Sequence, residues 1–237
     1  MTTCPTTPVP AAHIGMIYGF FHLVLACVPL QLIASVPAHA ADRGGPLRIV
    51  ALGDSLTAGY QIALGDAFPA KLEQALRAKG HDIEIANAGV SGDTPAGGLA
   101  RLDWAVPDGT EAVIIELGAN DMLRGGDPAA AARNLEAIIT RIKAKGAMVL
   151  LTGMRSVGNW GADYANRFDA IFPELAARNG LPLYPFFLDG VAGRADLNLV
   201  DGMHPNPRGV DAIVSGILPT VEPWVAQLKA ARTKATP

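Results

Sequence analysis

Glu111-Ala112-Val113-Ile114-Ile115-Glu116-Leu117 is apolar through its centre, with β-branched residues at three successive positions. A strand covered on both faces has this pattern, and such strands belong to parallel sheets. The segment runs directly into Gly118-Ala119-Asn120-Asp121, a turn-forming stretch. Working outward, residues 47–52 (LRIVAL), 83–86, 147–151 (AMVLL) and 181–184 read as four further strands. Helical spacing separates them. Residues 68–79 carry the stripe Leu72, Ala75, Leu76 and Ala78 and stop at Gly80. Residues 99–106 end at Pro107, 128–145 begin with Pro128 and stop at Gly146, and 164–178 stop before Gly180. Residues 208–228 close the chain as a helix that Pro219 and Pro223 are expected to bend. Strands that alternate with helices predict an α/β fold: a flavodoxin-like three-layer sandwich around a five-stranded parallel sheet. Sheets of this kind place ligands outside the C-terminal ends of their strands.

The chain has 237 residues, with 19 Lys and Arg, 22 Asp and Glu and a formal net charge of −3. It has no basic excess of the kind that marks nucleic-acid binders. With 50% hydrophobic residues it is also no disordered chain. Every Lys and Arg lies at or after Arg43, whereas Cys4, Cys27, His13, His22 and His39 all precede it. Residues 14–36 form a charge-free run, followed by Ala38-His39-Ala40, an A-x-A pattern. Residues 1–40 therefore read as a signal peptide cleaved after Ala40, although the n-region lacks Lys and Arg. The product is expected to be periplasmic or secreted, with no stable membrane insertion after cleavage. An uncleaved anchor is the rival, since the run is long enough to span a bilayer. Residues 41–237 form a single domain without cysteine and with two histidines, His81 and His204. No metal and no cofactor is expected, and the sequence leaves the oligomeric state open.

The candidate chemistry lies where strands end. The first strand runs into Gly53-Asp54-Ser55-Leu56, the second into 87–93 (NAGVSGD) and the third into Gly118-Ala119-Asn120-Asp121; Asp201-Gly202-Met203-His204 follows late in the chain. A serine hydroxyl needs an adjacent base near pH 7. His81 follows a helix and precedes a strand, which puts it at the wrong end of the sheet and makes it a surface residue. His204 remains as the base, and Asp201 on the same loop can reach its Nδ1. Of the four serines after residue 40, Ser55 and Ser91 both sit at strand tips. Ser55 is preferred because a strand-to-helix turn exposes its hydroxyl, and Ser91 stays the rival. The developing oxyanion needs preset donors, supplied by the Ser55 amide, the Gly92 amide and the Asn120 side chain. Asp54, Asp93 and Asp121 read as loop-fixing acceptors. The loop 155–164, with Trp160 and Tyr164, reads equally as the wall of an acyl pocket or as a plain connection. If it is a wall, both aromatics bind substrate, and Gly158 and Gly161 let the indole swing.

These segments, in this order, resemble the SGNH or GDSL hydrolase superfamily over roughly residues 47–206. The stretches 53–60 (GDSLTAGY), 91–94 (SGDT), 98–102 (GLARL) and 185–187 (PFF) are similar to its periplasmic arylesterase and acyl-CoA thioesterase/lysophospholipase branch. The resemblance implies Ser55 as nucleophile, Gly92 and Asn120 as oxyanion-hole donors, and Asp201 and His204 as acid and base. Ala119 departs from the glycine that often precedes that Asn. The expected activity is hydrolysis of a small acyl ester or thioester through an acyl-enzyme. A carbohydrate O-deacetylase is one alternative. A non-catalytic flavodoxin-like binding protein, with residues 53–59 cradling an anion, is another.

Overall fold

The computed structural model describes residues 44–234, and the expected signal peptide lies outside the described residues. The chain runs β1 (Leu47–Gly53), α1 (Ser55–Ala58), α2 (Phe68–Ala78), β2 (Ile83–Gly89), α3 (Pro95–Ala100), α4 (Leu102–Ala105), β3 (Ala112–Glu116) and α5 (Ala119–Leu123). It continues with α6 (Pro128–Ala144), β4 (Met148–Thr152), α7 (Ala162–Asp169), α8 (Ile171–Asn179), β5 (Leu183–Tyr184) and α9 (Pro207–Lys234). The strands form one parallel sheet in the order β2-β1-β3-β4-β5. This is the flavodoxin-like order, whose winding reverses between β1 and β3. Every residue of β3 is buried, as its apolar run requires. Helices α2 and α9 pack together on one side of the sheet, and α3, α6 and α8 cover the other.

Two helices differ from the sequence expectation. In place of one helix over 99–106, α3 begins at Pro95, where the Thr94 side chain caps it by accepting the Gly97 N–H. The stretch expected as one helix over 164–178 divides into α7 and α8 at Ala170. Pro173 explains the break: it has no N–H to donate, and its ring excludes the carbonyl one turn earlier. The short helices α1 and α5, each about one turn long, were read as turns, because periodicity has nothing to repeat over so few residues.

The upper end of the sheet is tight at Gly89. A Cβ there would lie 2.7 Å from the Ala58 Cα and 2.9 Å from the Asp54 carbonyl oxygen. These are backbone atoms that a rotamer change cannot move. Gly89→Ala is therefore expected to destabilise the fold by about 1–3 kcal/mol, the usual cost of overpacking. Urea unfolding measures it, and an unchanged midpoint would show that β2 and α1 can separate freely.

Candidate active site

Asp54 turns the chain out of β1 by capping α1, its Oδ1 accepting the Leu56 N–H at 2.9 Å. Gly59, in the left-handed region at φ 81°, ends that helix after one turn. Ser55 is thereby its first residue. The backbone N–H groups of Ser55 and Gly92 have no protein acceptor among the described residues. Gly92 sits at φ 82° beyond β2, where an added Cβ would meet only the Arg124 guanidinium, 3.7 Å away.

The loop before α9 holds its own shape. The side-chain amide of Asn198 donates to the carbonyls of Val191 and Arg194, and that of Asn206 to Asp196 and Asn198. This loop carries His204 to Ser55. The imidazole Nε2 lies 2.9 Å from Ser55 Oγ, and Nδ1 lies 2.7 Å from Asp201 Oδ2. With Asp201 accepting at Nδ1, that nitrogen bears the proton and Nε2 is free to accept from the serine. Asp201 Oδ1 accepts the backbone N–H groups of His204 and Met203. Those two bonds, and then the imidazole, hold its carboxyl at a pKa of about 2. Tyr60 lies over the imidazole, with ring centroids 4.3 Å apart and planes tilted by 34°.

Asn120 is the second residue of α5, four residues beyond the end of β3. Its Nδ2 donates to Asp54 Oδ2 at 3.0 Å, and its Oδ1 accepts from Arg124 at 3.3 Å. Both ends of the amide are held, and one Nδ2 hydrogen is left over. Gly118 takes the positive φ of 123° in this turn, so Ala119 needs no glycine geometry and packs into the core.

Ser55, Gly92, Asn120 and His204 open onto a cavity of about 380 Å³. Its walls include Met122, Leu123, Met154, Val157, Phe186 and Leu188. Ser91 also faces it but is exposed, and no base among the described residues bonds its hydroxyl. No group of three or more potential metal ligands occurs among the described residues.

Trp160 and Tyr164, expected to bind substrate, line no part of this cavity. The Trp160 indole donates to the Met122 carbonyl at 2.8 Å and lies across Gly125. It is tethered where Gly158 and Gly161 suggested a swinging ring. Tyr164 is buried on α7, parallel to Phe168. Arg155 and Val157 are the residues of that loop that reach the cavity. His81 is half-buried rather than on the surface. Burial lowers its pKa, and Lys229, Glu222 and Lys79 surround it at the opposite end of the sheet. Asp54 and Asp93 act as acceptors as expected, but Asp121 Oδ2 is buried with no partner among the described residues. Tyr60, Arg124 and Glu116 are not among the site residues expected from the sequence. Only Glu116 carried a signal there, as a lone acid inside a strand buried on both faces.

A family model described as GDSL-like Lipase/Acylhydrolase matches residues 51–212. The chain belongs to this family. It is 38% identical over 202 residues to an arylesterase of Vibrio mimicus, covering 85% of this chain and 94% of the relative. It is 36% identical to thioesterase 1/protease 1/lysophospholipase L1 of Escherichia coli K12, over 79% of this chain and 87% of that one. Among solved structures, the SGNH-hydrolase family esterase AlinE4 shares 45% identity at a TM-score of 0.65, over 82% of this chain and 98% of that one. Membership and these relatives make the chain a serine ester hydrolase.

Two measurements follow from the geometry. Trp160→Ala removes a hydrogen bond to the segment that carries Asn120, and no cavity wall. It should lower kcat/KM by about fivefold for every acyl length alike, the equivalent of about 1 kcal/mol. A change confined to long chains would return the indole to the acyl pocket. Asp201, its pKa depressed in the fold, adds stability that is fully present above about pH 4 and is lost as the pH falls toward 2. Carbon-13 titration should place its carboxyl midpoint near 2; a midpoint near the ordinary value of about 3.9 would mean that the 201–204 bonds are absent in solution.

Proposed function

We propose that the protein hydrolyses carboxylic esters or thioesters of apolar acids, with Ser55 as nucleophile, His204 as base and Asp201 as the group that orients the imidazole. The observation that supports this reading is the unbroken line from Asp201 Oδ2 through His204 to Ser55 Oγ, at 2.7 and 2.9 Å, at the mouth of an apolar cavity. His204 Nε2 takes the serine proton as Oγ attacks the acyl carbon. Asp201 stabilises the imidazolium that forms. The Ser55 and Gly92 N–H groups and the free Nδ2 hydrogen of Asn120 receive the oxyanion. The imidazolium then protonates the leaving alkoxide or thiolate. In the second half His204 activates water, which attacks the acyl-enzyme and releases the acid.

The methionine-, leucine- and phenylalanine-lined walls suit an alkyl or aryl acyl chain better than an acetylated sugar, which needs more polar partners than the cavity offers. The anion-cradle alternative also finds no support. A Cβ at Gly53 would collide with the Thr57 and Glu116 side chains, so that turn is filled and leaves no room for an anion. The charge-free run ending at Ala40 supports export to the periplasm. Among the described residues no helix is long and apolar enough to cross a membrane.

A p-nitrophenyl ester panel of increasing acyl length, run on wild type and Ser55→Ala, tests the reading. Ser55→Ala should lose roughly 10⁶-fold in kcat, as triad enzymes do. A fluorophosphonate probe should label Ser55 once. Labelling at Ser91 instead would overturn the assignment.

A further inference from the structure

Behind Ser55 two carboxyl groups meet away from water. Asp54 and Glu116 are 0% and 1% exposed, and the Asp54 N–H donates to Glu116 Oε2 at 3.3 Å, which sets the two carboxyl groups side by side. Among the described residues neither forms an ion pair. The Arg101 guanidinium bonds Asp93 and the Gly53 carbonyl, and its Nη1 is buried without a partner among the described residues. A bond between two carboxyl groups requires a proton on one of them, because an ionised carboxylate only accepts.

The donors around the pair decide where that proton sits. Both Asp54 oxygens already accept: Oδ1 from the Leu56 N–H and Oδ2 from Asn120 Nδ2. Two such donors favour the anion. They work against burial, which pushes the Asp54 carboxyl up to about 6, still below neutral pH. Glu116 Oε2 accepts from Thr57 Oγ1 at 2.8 Å and the Asp54 N–H at 3.3 Å. Among the described residues no N–H or hydroxyl donor reaches Glu116 Oε1. A bare buried oxygen is costly unless it carries the shared proton itself and donates it. Burial, followed by the Asp54 charge, pushes the Glu116 carboxyl well above the usual carboxylate range.

We propose that Glu116 is a positioning residue for the oxyanion hole: a neutral carboxylic acid whose Oε1–H holds Asp54, so that Asp54 holds Asn120. This rests on the reading of Asn120 as an oxyanion donor given above. Glu116 ties two loops together. Through Oε2 it fixes Thr57 and the Asp54 backbone at the Ser55 turn. Through Oε1 and Asp54 it sets the Asn120 amide, so that one Nδ2 hydrogen is occupied and the other faces the acyl oxygen. Fixed donors stabilise developing charge because they need not reorganise during the reaction.

The test is a double-mutant cycle read in kcat and KM. Glu116→Gln places an amide N–H where the acid proton sits and keeps a carbonyl for Thr57, so kcat should stay near wild type. Glu116→Leu should lower kcat by up to roughly 10²-fold, the cost of a misplaced catalytic group, and move KM less. Asn120→Ala should cost on the order of 10²–10³ in kcat. In the Asn120→Ala background, Glu116→Leu should cost far less than it does alone. A purely structural glutamate would instead lower kcat equally in both backgrounds, and that additivity would overturn the proposal. So would a Glu116→Gln variant as impaired as Glu116→Leu, which would mean that the anion is required. If Glu116→Leu does not fold, carbon-13 NMR of the wild-type Glu116 carboxyl decides: a protonated signal at neutral pH supports the proposal, and an ionised one rejects it. An unchanged kcat in Asn120→Ala by itself would reject the oxyanion-hole reading on which the proposal rests. A full Asn120 effect with additive Glu116→Leu would reject only the role of Glu116.

Discussion

Gly53 is in register with Gly89 on one side and Glu116 on the other, and this pairing determines where each functional loop begins. Parallel strands paired in this way end at one level, so the chains leaving β1, β2 and β3 emerge side by side. Ser55, Gly92 and Asn120 each lie within four residues of those ends. A shift by one residue would turn alternate side chains to the opposite face and separate the three donors. The two glycines permit the register because α1 presses onto the tip of the sheet, where a Cβ at Gly89 would meet its backbone and one at Gly53 the Thr57 and Glu116 side chains.

The same crowding accounts for the polar groups beneath the site. The first turn of α1 needs an acceptor, and Asp54 supplies it from a position with no access to water. A buried carboxyl needs partners of its own, and Asn120 and Leu56 provide them. On the far side of β1, Arg101 bonds Asp93 at 2.6 Å and donates to the Gly53 carbonyl at 3.0 Å. With both partners buried, this pair ties the Ser91–Gly92 turn to the end of β1. Its value lies in geometry more than in net stability, since desolvation offsets much of the attraction.

His204 comes from another part of the chain, and no strand end positions it. Its loop is held by two asparagine side chains that satisfy backbone carbonyls, with Asp201 turning the backbone at 203 and 204. The residue that orients the imidazole thus also shapes the loop that delivers it. Tyr60, just beyond the first turn of α1, lies against the imidazole on its ring face.

Much of this was legible in the sequence. Short apolar runs, helical stripes and Gly or Pro stops depend on near neighbours, so the five strands and the longer helices could be placed from them. Ser55 and His204 could be chosen because serine and histidine are scarce after residue 40 and because strand ends mark the active edge. The Thr94-Pro95 start of α3 and the Pro173 break were present as local signals, but the apolar stripes outweighed them. The direction of a side chain was not legible, because packing between residues distant in sequence sets it. Trp160 turns onto the Met122 carbonyl, 38 residues away, and Tyr164 stacks into the core. Glu116 meets Asp54 from 62 residues away. In the sequence it is one acid in an apolar strand; only the folded sheet brings Asp54, Thr57 and Asn120 around it, in a place dry enough for the shared proton to stay.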